Sequence, residues 1–251
     1  MRYLSLIILL YFLPQTLSAQ LRLSLETGLV FTQYNDVRVP NREQESGTLF
    51  SLADDFRESP TTPFIRVEAA YLLGDKHTIE LTAAPLQIEY EDNIRGTFDF
   101  ADRIFIGPGI TGRYEFNTYR ATYRYRFVDR PRFRLDAGAS VLVRDARIAL
   151  TQGAVTVDDT DLGFVPLLSF ELDYTPTEIL SLFLKGDALV GPQGRAEDIF
   201  AGVLVNLGSD RWKLKAGYRL IEGGADVDQV YNFAFIHFAS VGVMYGLTAG
   251  N

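Results

Sequence analysis

Apolar and polar residues alternate with a period of two through about ten successive short segments, and this pattern restricts the fold more tightly than any other feature. A period of two sends successive side chains to opposite faces of a strand. In QLRLSLETGLVFTQY, Leu21, Leu23, Leu25, Leu29 and Phe31 oppose Arg22, Ser24, Glu26 and Gly28. Ile65, Val67, Ala69 and Tyr71 oppose Arg66 and Glu68. Ile79 and Leu81 oppose Glu80 and Thr82, and Pro85 is expected to shift the phase of that strand. In YRATYRYRF, Arg120, Arg124 and Arg126 oppose Tyr119, Ala121, Tyr123, Tyr125 and Phe127. The pattern continues with Phe133, Leu135 and Ala137 against Arg134 and Asp136, and with Leu168 to Tyr174 against Ser169, Glu171 and Asp173. It closes with Leu182 and Leu184 against Lys185 and Asp187, Trp212 and Leu214 against Lys213 and Lys215, and a last segment ending in Val241, Val243, Tyr245 and Leu247.

The connections alternate in length. Tight turns are expected around Asp75, Arg130, Thr177 and Ser209. Longer loops are expected at about 35–63, 91–111, 151–160, 191–198 and 221–229. Short turns on one side and long loops on the other suit a transmembrane, antiparallel, up-and-down β-barrel of about ten strands, with eight or twelve as the alternative counts. MRYLSLIILLYFLPQTLSAQ has a basic start, an apolar stretch and small residues before Gln20, the pattern of an export signal. The expected organisation is a signal peptide at 1–19 and one barrel domain at 20–251.

The chain has no Cys, so no disulfide holds it together, and its net charge of −8 argues against nucleic acid as a partner. No mature segment is apolar for long enough to cross a bilayer as a helix, so a membrane form must be a closed barrel. Arginine on the lipid face of a barrel costs about 2–4 kcal/mol at the bilayer midplane. Arg120 and Arg124 are therefore expected in the lumen, together with Arg134. Phase places Glu26, Glu68, Glu80, Glu171, Asp173 and Asp187 there as their counter-charges. Hairpin pairing is expected to set Arg132 and Arg134 beside Arg124 and Arg126, with neutralising acids reaching across the lumen. Such a lumen is largely plugged, and the expected role is structural, surface interaction or limited passage of small solutes.

Tyr71, Tyr125, Phe127, Phe133, Tyr174, Trp212 and Tyr245 all fall on apolar faces near a short turn or the C-terminus. In a barrel these places share one height, so the rings form an interfacial girdle. Among the outer loops, Arg195 is expected near Glu222, Asp226 or Asp228. The apolar run Thr48-Leu49-Phe50-Ser51-Leu52 inside a polar loop is expected to fold over the mouth or meet a partner.

Ser240-x-Gly242-x-x-Tyr245-x-Leu247 resembles the terminal-strand signal read by the barrel-assembly machinery, with Thr248 to Asn251 as an added tail. GTLFSLADDF, YEFNTYRATYRYRF, VRDARIAL, GFVPLL, GPQGRAED and GYRLIEGGADVDQVYNFAF together resemble a functionally uncharacterised family of Gram-negative outer-membrane β-barrel proteins. The resemblance implies outer-membrane location and barrel architecture, and it supplies no catalytic residue. The expected partners are outer-membrane lipid, lipopolysaccharide and, during biogenesis, the assembly machinery, with the protein a monomer. No catalytic set, metal site or cofactor is expected. The alternatives are an outer-leaflet hydrolase or acyltransferase built on His237, with Asp226, Asp228 or Ser240 as neighbours, and a soluble periplasmic barrel carrier.

Overall fold

Alternation of the two faces is satisfied by long strands that close on themselves. The computed structural model describes residues 20–59, 62–91, 96–192, 194–208 and 211–248. The expected signal peptide at 1–19 lies outside these residues, as do Ser209 and Asp210 of one expected turn and positions 249–251 of the tail.

The strands in chain order are β1 (Gln20–Arg38), β2 (Phe50–Ser51), β3 (Arg57–Glu58), β4 (Pro63–Leu73), β5 (His77–Ala84), β6 (Gln87–Glu91), β7 (Thr97–Phe100), β8 (Arg103–Ile106), β9 (Ile110–Arg130), β10 (Phe133–Gln152), β11 (Val155–Tyr174), β12 (Leu180–Gly191), β13 (Gly194–Asn206), β14 (Trp212–Asp226) and β15 (Tyr231–Thr248). The wall has ten positions, in the order β1, β4, β5 with β6, β9, β10, β11, β12, β13, β14 and β15. β1 pairs with β15 from Gln20↔Thr248 to Arg38↔Tyr231, which closes the barrel and removes its free edges. The fold is thus an antiparallel up-and-down β-barrel. The remaining strands belong to two connections at the hairpin end: β2 pairs with β1, β3 with β6, and β7 with β8.

Three expected long loops are instead tall hairpins. β10 and β11 stay paired up to Gln152↔Val155, β12 and β13 up to Gly191↔Gly194, and β14 and β15 up to Asp226↔Tyr231. Alternation weakens in these stretches because both faces there carry mixed chemistry, so pattern alone read them as loop.

Pro85 does not shift the phase. Ala84↔Thr118 and Gln87↔Glu115 keep one register across the break, and Thr82, Leu86, Ile88 and Tyr90 all remain buried inside. What changes is the chemistry of the interior. On β9 the inward residues are Arg124, Thr122, Arg120 and Thr118 below, then Tyr114, Gly112 and Ile110 above. Outward, Tyr123 and Tyr119 give way to Glu115 and Arg113. On β10, Asp145 marks the same inversion, with Ile148 and Leu150 turned inward beyond it.

Candidate functional site

The lumen has two stacked zones. At the turn end a small apolar cluster of Phe183, Phe200, Leu204 and Met244 forms the base. Gly202 and Gly217 make room for the Phe200 ring, since a Cβ at either would come within 2.7 Å and 2.6 Å of its edge. Lys215 Nζ sits 4.1 Å from the centre of that ring, so the base also supports the first buried cation.

Above it, paired charge fills the lumen. Glu26 accepts two hydrogen bonds of 2.8 Å from Arg219, one of 2.5 Å from Lys215 Nζ and one of 2.9 Å from Ser240 Oγ. Asp198 receives Arg219 at 2.5 Å, Arg66 at 2.8 Å and Arg120 at 2.9 Å. Arg120 also reaches Asp187 at 2.6 Å, and Ser140 Oγ donates to that carboxylate at 2.8 Å. Arg66 continues to Glu68, which with Glu80 holds Lys185 at 3.0 Å and 2.5 Å. Arg124 bridges Glu80, Glu171 and Ser169 Oγ at 2.8, 3.1 and 3.2 Å. Arg22, half-open to the turn end, forks onto Glu171 at 2.8 Å and 2.9 Å.

Every one of the ten wall positions places a side chain in this network, including Ser140 from β10 and Ser240 from β15. Apart from the half-open Arg22, six carboxylates (Glu26, Glu68, Glu80, Glu171, Asp187, Asp198) face six cations (Arg66, Arg120, Arg124, Lys185, Lys215, Arg219). Charge cancels within this set, and the buried Asp136 and Asp173 nearer the turn end are paired with Arg126 and Arg134. Removing one partner of such a set leaves an uncompensated buried charge, at a typical cost of about 3–5 kcal/mol.

One expected lumen residue sits elsewhere than expected. Arg134 is at the turn-end mouth with 41% of its side chain exposed, paired with Asp173 at 3.0 Å. It does not lie beside Arg124. A register shift between Leu135 and Asp136 sets Asp136 against Arg126 and Gly138 against Arg124. Arg126 forks onto Asp136 at 2.9 Å and 3.2 Å, so this wall supplies its own acid rather than a second arginine. Gly138 fits the close approach to β9, because a Cβ there would lie 1.9 Å from the Tyr123 carbonyl oxygen. Asp198, expected in the loop at about 191–198, is on β13, and it receives three arginines. Arg66, Lys215 and Arg219 were legible as inward by phase, and only their role as the counter-charges was missed.

The second zone fills the hairpin end. Phe50, Leu52 and Phe56 turn inward, with Phe98, Phe100 and Phe105 of the β7–β8 hairpin against them. They pack on Val30, Ile88, Tyr114, Leu150 and Ile236 of the wall. Leu52 N–H donates to the Asn35 carbonyl and Ala101 N–H to the Val39 carbonyl, tying both connections to the top of β1. Val157 of β11 and Ile221 of β14 also pack against this filling, which does not take up the whole of the hairpin end. On the β11–β14 side a cavity of about 850 Å³ remains, with Arg120 and Asp198 of the network in its lining.

At the rim, Arg195 pairs with Glu222 at 2.9 Å between β13 and β14, and Tyr34 Oη donates to the same carboxylate at 2.7 Å. Asp226 instead accepts from Asn41 Nδ2 at 2.8 Å, and the Asp228 carbonyl accepts from the Asn41 N–H. These contacts tie hairpins together. The residues considered with His237 are not assembled around it. His237 faces outward, bonded to Tyr218 Oη and to Gln33 Oε1, while Ser240 points inward onto Glu26.

Register sets the turn-end aromatics side by side on the outer face. Phe133 pairs across with Tyr174, Trp212 with Tyr245, His77 with Tyr125, and Leu21 with Tyr71. The Trp212 and Tyr245 rings are 4.5 Å apart and those of Tyr125 and Phe127 5.1 Å apart. Above them the exterior is exposed and apolar, with Leu25, Ile65, Leu81, Val141, Leu182, Leu214 and Val241.

No family model and no curated protein matches the chain. Its structural neighbours are Gram-negative outer-membrane β-barrel proteins. The attachment invasion locus protein Ail of Yersinia pestis aligns at 9% identity, over 92% of this chain and 99% of that one, with a TM-score of 0.41. An outer membrane channel from Pseudomonas putida F1 aligns at 8% identity, over 92% and 96%, with a TM-score of 0.44. The outer membrane protein OprG from Pseudomonas aeruginosa aligns at 13% identity, over 92% and 97%, with a TM-score of 0.37.

Proposed function

We propose that this is a monomeric outer-membrane barrel whose lumen is closed to ions and hydrophilic solutes, and whose work is structural and surface-directed. The observation that carries the reading is the neutral ion network to which all ten wall positions contribute. A solute crossing it would have to separate buried charges from their partners, at a high desolvation cost.

The membrane placement is supported by the exposed apolar exterior and by its aromatic rim. Water would make so large an apolar surface an aggregation site, whereas lipid solvates it. In this reading lipid and lipopolysaccharide surround the exterior, and the assembly machinery acts on β15 during insertion. Self-closure through β1 and β15 supports a monomer. A catalytic role for His237 has no such support, since its neighbours are a tyrosine and a glutamine.

Planar-bilayer recording of the purified protein tests the closed lumen. No stepwise conductance is expected; reproducible steps that survive repurification would overturn it. Fractionation tests the placement. Recovery from outer membranes with detergent is expected, and recovery in the soluble fraction would favour a periplasmic carrier instead.

A further inference from the structure

The wall strands part in two places at the hairpin end. β4 leaves β1 above Leu29↔Pro63, and there the loop strands β2 and β3 take up the freed edges of β1 and β6. The second parting has no such cover. β11 runs from Val155 to Tyr174, yet it pairs with β12 only from Tyr174↔Leu182 to Leu168↔Ala188. Above Leu168, β11 is held by β10 alone among the described residues. Pro166 lies in this stretch and has no N–H to offer a neighbouring strand.

Behind the parting is the cavity of about 850 Å³, within the size range of about 300–1,000 Å³ usual for ligand pockets. Leu167 of β11 and Leu189 of β12, the first residues above the last pair, both line it. Phe116, Leu142, Ile148 and Ile221 form much of its wall, and Gly163 leaves space beside the Arg144 guanidinium.

The height of the gap follows from register. Tyr119, Val143 and Phe164 face outward side by side on β9, β10 and β11, and the next outward residues on β9 and β10 are Asn117 and Asp145. On β11 the exposed apolar run continues to Leu162, opposite Asp145, so the apolar exterior ends at about that residue. The unpaired stretch from Leu167 to Gly163 lies on the apolar side of that boundary, over a height of about 10 Å for a tilted strand. The gap thus opens toward the outer leaflet.

We propose that this chamber binds an uncharged, predominantly apolar small molecule and that the molecule enters sideways, from lipid, through the parted β11–β12 seam. Charge narrows the class. Arg144 is engaged with Asp161, Arg195 with Glu222, and Arg147 with Asp158 and Glu115. Asp159 and Glu197 add negative charge to the lining, which disfavours an anion. Passage through hydrocarbon disfavours a charge of either sign. Below, the ion network blocks onward movement to the turn end, so the chamber is a dead-end site rather than part of a pore. The sideways route rests on the membrane reading above, which fractionation tests separately.

The probe is N-phenyl-1-naphthylamine, uncharged and fluorescent in apolar surroundings, titrated against the protein reconstituted in lipid. Saturable binding at one site per chain is expected. Ala146→Trp, which fills the chamber from β10, should weaken that binding at least about tenfold, and the anionic anilinonaphthalene sulfonate should bind at least about tenfold more weakly than the probe. In a Leu167→Cys/Leu189→Cys variant, bridging the two thiols with dibromobimane should slow association about tenfold relative to the unbridged sample. Heat-dependent gel mobility verifies that each variant is a folded barrel. Absence of saturable binding, or binding unchanged by Ala146→Trp in a folded sample, would overturn the site. Association as fast after bridging as before would overturn the sideways route.

Discussion

From the level of Arg124 down to the turn end the lumen is packed with paired charge, and the described strands around it are paired without a gap. Toward the hairpin end the same strands face phenylalanines, tyrosines and an open chamber, and two pairs of neighbours part. The difference follows from what each kind of interior tolerates. A buried charge needs partners at fixed distances, so a network spanning ten positions demands an unbroken wall. Apolar packing is non-directional and bears a void at moderate cost, so the hairpin end can hold inserted loops on one side and empty space on the other.

The sharpest way to break this comparison is to remove the acceptor shared by three arginines. Asp198→Ala leaves Arg66, Arg120 and Arg219 short of a partner and should destabilise the barrel by about 3–5 kcal/mol. Denaturant unfolding in micelles measures it; a loss near zero would mean that water already reaches these charges. A second change sharpens the contrast at the other end. Phe50→Ala removes a ring that meets Phe56, Phe98 and Phe100, a type of truncation worth about 3–5 kcal/mol locally. Because these rings sit on inserted connections, protease cleavage within 39–62 should accelerate while the global unfolding midpoint moves less than for Asp198→Ala. Equal shifts in both variants would show that the two ends unfold as one unit.

Much of this division is legible in the sequence, and part of it is not. Phase alone turned Glu26, Arg120 and Asp187 inward, because lipid tolerates only one of the two faces. It did not reveal that the rule inverts. Where the barrel rises out of the apolar band, Glu89 and Arg113 face outward and Ile88 and Tyr114 inward. In one dimension that inversion looks like a change of phase, which is why Pro85 reads as a phase shift in the sequence. The same mixed chemistry hid the tall hairpins, and with them the strand position of Asp198. The seam between β11 and β12 had no local signal beyond Pro166, since strand parting depends on partners more than ten residues away.

Two inward residues of β10 mark the two zones. Ser140 bonds Asp187 within the network, whereas Ala146, on the same face of the strand, lines the chamber. The chain has no native Cys, so Ser140→Cys and Ala146→Cys each place a single thiol in one zone. N-ethylmaleimide, small and uncharged, should modify the thiol at 146 readily and leave the one at 140 unreacted until the barrel is unfolded. Comparable labelling at both positions in the folded protein would mean a continuous aqueous path through the lumen, and would contradict the sealed ion network.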